Sequence, residues 1–171
     1  MTTERANAFD FWGPRTLIGP ALSVGDRAPV FTLTGLKDEA IHNDKFAGKP
    51  LVISVIPSID TGVCSKQTRR FNEEAARLGD HVSILTVSAD LPFAQARWCG
   101  AEGINNVVMG SDYKDMNFGD AYGTHIKDLR WESRAVFVVD ANGTIRYAEY
   151  VPVGGQEPNY DAALNTLKTL L

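Results

Sequence analysis

Residues 50–56, Pro-Leu-Val-Ile-Ser-Val-Ile, present almost no polar face to water and run directly into Pro57-Ser58-Ile59-Asp60-Thr61-Gly62-Val63-Cys64. The apolar part is short and β-branched, so it reads as a buried central strand, and the Gly48-Lys49-Pro50 turn sets its start. A helix follows over about residues 62–78, because Cys64, Thr68, Phe71, Ala75 and Leu78 recur at helical spacing on one face. Asp60 or Thr61 can cap its start and Gly79 can end it. This strand-turn-helix unit places a thiol in the first turn of a helix. There the leading amides lack intrahelical partners and the peptide dipoles add partial positive charge, which favours a thiolate.

The rest of the chain alternates in the same manner. Residues 15–19 and 30–34 read as short strands bounded by Gly and Pro, and residues 82–89 as the next buried strand. Asp90-Leu91-Pro92 opens a helix with an Asp cap and a Pro in the first turn; the helix carries Cys99, with Phe93, Ala96 and Trp98 as core neighbours, before Gly100 and Gly103 end it. Residues 106–109 form a strand and 113–122 a helix. Residues 134–139 and 144–151 are strands joined at Asp140-Ala141-Asn142-Gly143, where Asn-Gly supplies hairpin geometry. Pro158 and Asn159 start a last helix with Ala163, Leu164, Leu167 and Leu171 on its apolar side. Such an order predicts one α/β domain over residues 1–171, with a central mixed sheet flanked by helices.

Composition narrows the functions open to this chain. With 44% hydrophobic and 22% charged residues, a net charge of −4 and no Lys/Arg cluster, it offers no footprint for nucleic acid or anionic lipid. Residues 1–12 lack the apolar core of a secretory signal, and no apolar stretch approaches the ~18 residues of a membrane span, so a cytoplasmic protein is expected. His42, His81 and His125 are scattered, solvated or capping, and no metal site or cofactor is expected. Two cysteines are too few for a disulfide scaffold, and their spacing fits neither a zinc knuckle nor a Cys-x-x-Cys pair.

A thiolate nucleophile needs donors for the charge that builds on the group it displaces. Cys64 can supply the sulfur, the Val63 and Cys64 amides the donors, and the Thr61 hydroxyl a contact to the substrate or the sulfur. Spacing alone leaves Cys64 equally open to being an inert buried thiol, since free cysteine is among the most buried residue types. Cys99 is either a core-filling thiol or the partner that captures a Cys64 sulfenic acid. Arg134, just ahead of Ala135-Val136-Phe137-Val138-Val139, reads from sequence as a solvated arginine that could also reach a neighbouring loop. Asp60 and Asp90 read as helix caps, and Glu73-Glu74 with Arg69-Arg70 as a charged solvent face.

The pattern Pro57-x-x-x-Thr61-x-x-Cys64 resembles the peroxidatic motif of the peroxiredoxins. The stretch Ser88-Ala89-Asp90-Leu91-Pro92 through Arg97-Trp98-Cys99-Gly100-Ala101-Glu102-Gly103 is similar to the resolving-cysteine region of their thiol peroxidase subfamily, an atypical two-cysteine group. The likeness extends from Leu17-Ile18-Gly19-Pro20 to Glu157-Pro158-Asn159-Tyr160. It implies a thioredoxin-like fold with an N-terminal β-hairpin, Cys64 as the peroxidatic and Cys99 as the resolving cysteine, Thr61 and Arg134 as active-site partners, and Pro57 and Val63 at the substrate. It also implies a hydroperoxide substrate, reduction by thioredoxin and a homodimer. Two other readings use the same residues: a redox relay that passes oxidation to a partner protein, and a thioredoxin-fold binding protein with two inert thiols. Trp131-Glu132-Ser133 and Val153-Gly154-Gly155-Gln156 depart from the subfamily pattern, at the pocket rim and dimer surface. Because both cysteines fall in ordered helices, the reduced sulfurs are expected out of bonding range, with disulfide formation requiring unwinding near Gly100 and Gly103 or at Gly62.

Overall fold

A computed structural model describes residues 2–171. Its centre is the strand that the apolar run predicts, β5 (Leu51–Val55), inside a seven-stranded mixed sheet. β6 (Ser83–Ser88) and β7 (Val108–Ser111) continue parallel to it on one side. On the other side β10 (Ala135–Val139) pairs antiparallel, followed by β11 (Ile145–Tyr150). The far edge is built by β3 (Thr32–Thr34) and β4 (Ala40–His42), so β5 is flanked on both sides and has no free edge. The β10–β11 hairpin turns at Gly143, whose φ of +87° is accessible to glycine without penalty.

Strand alternation splits the core into two layers. Ile53, Val55, Leu85, Val87 and Phe137 pack with Phe118 and Tyr122 on one face, where α3 (Asn117–Tyr122) lies. Val52, Ile84, Val136 and Val138 face the other way, against Phe71 and Ala75 of α1 (Gly62–Leu78) and Ala163, Leu164 and Leu167 of α4 (Tyr160–Lys168). A third cluster at the C-terminal ends of the parallel strands joins Ile56 and Ile59 to Cys64 and to Trp98 and Cys99 of α2 (Pro92–Glu102).

β1 (Glu4–Asp10) and β2 (Pro14–Ile18) form the N-terminal hairpin implied by the family likeness, and extend through β8 (His125–Ile126) to β9 (Trp131–Glu132) as a separate four-stranded sheet. The polar composition of β1 and its irregular register between Arg5 and Phe9 hide it from a period-two search. The hairpin is fastened to the 152–154 segment: the Asp10 amide donates to the Pro152 carbonyl at 2.8 Å and the Gly154 amide to the Asp10 carbonyl at 2.9 Å.

Several local expectations need correction. Gly100 is helical, and only Gly103, with φ +67°, ends α2. Phe93 is 86% exposed and outside the core. The residue at the N-cap of α2 is Leu91, because the Asp90 carboxylate is engaged elsewhere; α1 is capped by Thr61, because Asp60 pairs instead with Arg97 at 3.2 Å. The strand expected at 106–109 lies at Val108–Ser111, and the helix expected from 113 begins at Asn117, after a turn tied to the Asp112 carboxylate by the Phe118 and Gly119 amides at 3.1 and 2.8 Å. Leu171 is exposed beyond the end of α4. Glu74 is buried between Arg70 and Arg77 at 3.6 and 3.3 Å, so part of the supposed solvent face is interior. His125 is neither solvated nor a cap; it bonds Asp120 at 2.6 Å with its second ring nitrogen buried.

Candidate active site

The turn after β5 brings the first part of the site into place. Pro57 is buried at the strand end, and Thr61 adopts the extended N-cap conformation (φ −99°, ψ 151°), its Oγ1 accepting from the Cys64 amide at 3.4 Å. A hydroxyl that accepts this bond keeps its own proton to donate, so capping and substrate contact are compatible. Cys64 therefore sits in the first turn of a seventeen-residue helix, on its inward face and with no exposed surface. Val63 is half-buried in the same turn.

The second part comes from across the sheet. Arg134 precedes β10, which pairs directly with β5, and its side chain is only 1% exposed. One guanidinium nitrogen lies 3.4 Å from Cys64 Sγ, another donates to Gln67 Oε1 at 2.9 Å, and the group donates to the Gly154 carbonyl at 2.8 and 3.3 Å. Gln67 is anchored in turn, its amide donating to Ser54 Oγ at 2.8 Å and the Val55 carbonyl at 3.4 Å. A buried guanidinium is costly unless its donors are satisfied, and here acceptors surround it on several sides. The expectation of a solvated Arg134 is thus reversed, whereas its reach to the cysteine loop is realised. Gln67 was not singled out from sequence, although a polar residue on the buried stripe, three positions after Cys64, is a usable signal. Gly154 explains one departure from the subfamily pattern: a Cβ there would collide with the Phe11 ring, so the carbonyl facing Arg134 rests against the N-terminal hairpin.

Phe11, Trp12, Trp131, Pro57, Ser58, Thr61, Ala89 and Asp90 line a cavity of about 330 Å³. Phe11 and Trp131 meet edge-on at 6.0 Å, and Trp12 is 79% exposed at the rim. Cys64 does not line this cavity, nor does Val63. Cys64 has no exposed surface and packs against Ile56 and Ile59 beside this cavity's Pro57-to-Thr61 wall.

Behind Trp131, Glu132 is fully buried, bonded by the Thr124 hydroxyl at 2.5 Å. Burial, reinforced by the neighbouring Asp112 carboxyl, holds the Glu132 acid well above the usual carboxylate range.

Cys99 lies in the last turn of α2, 8% exposed, and both cysteines are free thiols in the same apolar cluster. Burial pushes the Cys99 thiol up to about 11. Its backbone carbonyl accepts from the Gly103 and Ile104 amides, the latter at 3.0 Å, which closes the helix end over it.

Residues 23–164 match the family model described as Redoxin. The chain is 55% identical over 161 residues to a thiol peroxidase of Bacillus subtilis, covering 93% of this chain and 95% of that protein. It is 52% identical over 157 residues to a thiol peroxidase of Streptococcus pneumoniae, covering 92% and 96%. Among solved structures, a peroxiredoxin-like protein from Aquifex aeolicus superposes with a TM-score of 0.86 at 38% identity, covering 93% of this chain and 94% of that one.

Proposed function

We propose that this chain, which belongs to the redoxin family and within it to the thiol peroxidases, reduces hydroperoxides through Cys64 as the attacking sulfur and Cys99 as the resolving one. The observation that carries the assignment is the buried Arg134 guanidinium 3.4 Å from Cys64 Sγ, a fixed positive charge where a thiolate needs one. In the first step the Cys64 thiolate attacks a peroxide oxygen; an S–O bond forms as the O–O bond breaks, and the departing oxygen takes a proton and leaves as water or alcohol. Thr61 donates to the reacting oxygens, Pro57 shapes the turn that admits them, and the Val63 amide belongs to the same helix start.

In the second step the Cys99 thiol gives up its proton and its sulfur attacks the Cys64 sulfenic acid. The S–S bond forms as the S–OH bond breaks, and hydroxide leaves as water with the released proton. An external dithiol, thioredoxin by family likeness, then reduces the disulfide. A neutral, buried Cys99 is a poor nucleophile, so this step requires the end of α2 to open. The protein acts as a homodimer in the cytoplasm.

The test is turnover by substoichiometric protein supplied with hydroperoxide, thioredoxin and thioredoxin reductase. The parent is expected to cycle many times, whereas Cys99→Ser consumes a single equivalent and leaves Cys64 reactive to dimedone. Multiple turnover by Cys99→Ser at the parent rate would remove Cys99 from the reaction. No turnover by the parent, with oxidation passed instead to a second protein, would make the chain a relay.

A further inference from the structure

Asp90 stands at the root of the helix that carries Cys99, yet its carboxylate does not cap that helix. It reaches back to the turn that carries Cys64. Ser58 Oγ donates to one oxygen at 2.8 Å; the Ile59 amide and Ser88 Oγ donate to the other at 2.8 and 2.7 Å. The turn is held at consecutive residues, and Ile59 is itself fully buried in the apolar cluster that contains both cysteines. The anchor end is equally firm. The Ser111 hydroxyl of β7 donates to the Asp90 carbonyl, and buried Gln95 of α2 donates to Ser88 Oγ at 3.0 Å and to the Gly110 carbonyl at 3.2 Å.

Other links between these segments are weaker in kind. Arg97–Asp60 at 3.2 Å and Arg69–Glu102 at 2.8 Å are ion pairs between largely exposed side chains, where solvent screens most of the attraction. A half-buried carboxylate accepting three hydrogen bonds is the stronger tie, because bonds to an ionised acceptor exceed neutral ones and are less screened.

We propose that Asp90 is a positioning residue that latches the Cys64 turn to the root of the Cys99 helix, holding the peroxide-reactive arrangement and delaying disulfide formation until the turn is released. The inference rests on the roles assigned above to Cys64 and Cys99. The latch favours attack, which needs Thr61 and Arg134 set around Cys64, and opposes resolution, which needs the same turn and the α2 end to move. A Cys64 sulfenic acid held longer is also exposed longer to a second peroxide, so the latch sets the partition between disulfide and overoxidation.

The experiment is quenched-flow oxidation by hydrogen peroxide, with thiols alkylated, sulfenic acid trapped by dimedone and the disulfide measured by mass. Asp90→Asn preserves shape but replaces one acceptor with a donor. It is expected to slow sulfenic acid formation about tenfold, to speed disulfide formation about tenfold, and to reduce overoxidation at high peroxide, the scale set by losing a charge-assisted bond. Ser58→Ala, which removes one of the three bonds, should move both rates in the same two directions by about threefold. Arg97→Ala, which breaks the exposed pair with Asp60 between the turn and α2, should leave both rates at the parent values. Shifts of one sign, no shift, or equal opposed shifts in Arg97→Ala would overturn the latch. If Asp90→Asn fails to fold, Ser58→Ala decides by the same signs. A parent that forms no Cys64–Cys99 disulfide overturns the cysteine assignment and the latch together, whereas a parent that forms it beside variants with parental rates overturns the latch alone.

Discussion

Cys64 and Cys99 occupy one apolar cluster and are both nearly closed to solvent, but they lie at opposite ends of their helices. Cys64 is in a first turn, where amides and dipole favour negative charge, with a guanidinium 3.4 Å from its sulfur. Cys99 is in a last turn, where the dipole opposes negative charge; burial raises its thiol to about 11. Depth of burial therefore does not separate the two thiols; the charge around the sulfur does, and the proposed roles of attacking and resolving cysteine follow that difference.

The sharpest way to break this contrast is Cys64→Ser, which is nearly isosteric but supplies a hydroxyl barely ionised at neutral pH. Peroxide reduction should fall by at least about 10³-fold while the thermal midpoint stays close to the parent's. Turnover near the parent rate would mean that the reactive pole lies elsewhere.

A smaller effect isolates the charge itself. Arg134→Lys keeps a cation but cannot satisfy Cys64 Sγ, Gln67 Oε1 and the Gly154 carbonyl together, so the attack step should slow about 10²-fold. Thr61→Val, which removes both cap and donor, should slow it about tenfold. Stopped-flow traces matching the parent for both would show that neither group distinguishes the two cysteines.

The smallest effect concerns Cys99 and pH. The folded protein raises this thiol from its ordinary 9.0 to about 11, so it holds the proton more tightly than the unfolded chain does. The stability linked to that proton is complete below about pH 9 and is lost as pH rises towards about 11. Urea midpoints of the parent should decline faster over that window than those of Cys99→Ala, and iodoacetamide should label Cys99 slowly throughout it. Parallel declines would mean that Cys99 is no more closed to ionisation than a free thiol.

What could be read from the sequence is local. The central strand from Leu51, the helix bounds Gly62 and Leu78, a cap at Asp60 or Thr61 and the first-turn place of Cys64 follow from hydrophobic period, turn residues and capping chemistry, all set by neighbours a few positions away; the pairing of Asp60 with Arg97 left the cap to Thr61. The family motif supplied the roles proposed here for Cys99 and Arg134, which spacing left open. Tertiary structure decided what those residues touch. Arg134 meets Cys64 because β10 pairs with β5; Asp90 turns from cap to tie because β6 lies beside β5; Glu132 is buried because β9 packs inward. Strand order and side-chain partners arise from pairings between distant segments, and a buried charge persists only where those pairings supply its partners, so no window along the chain contains the information.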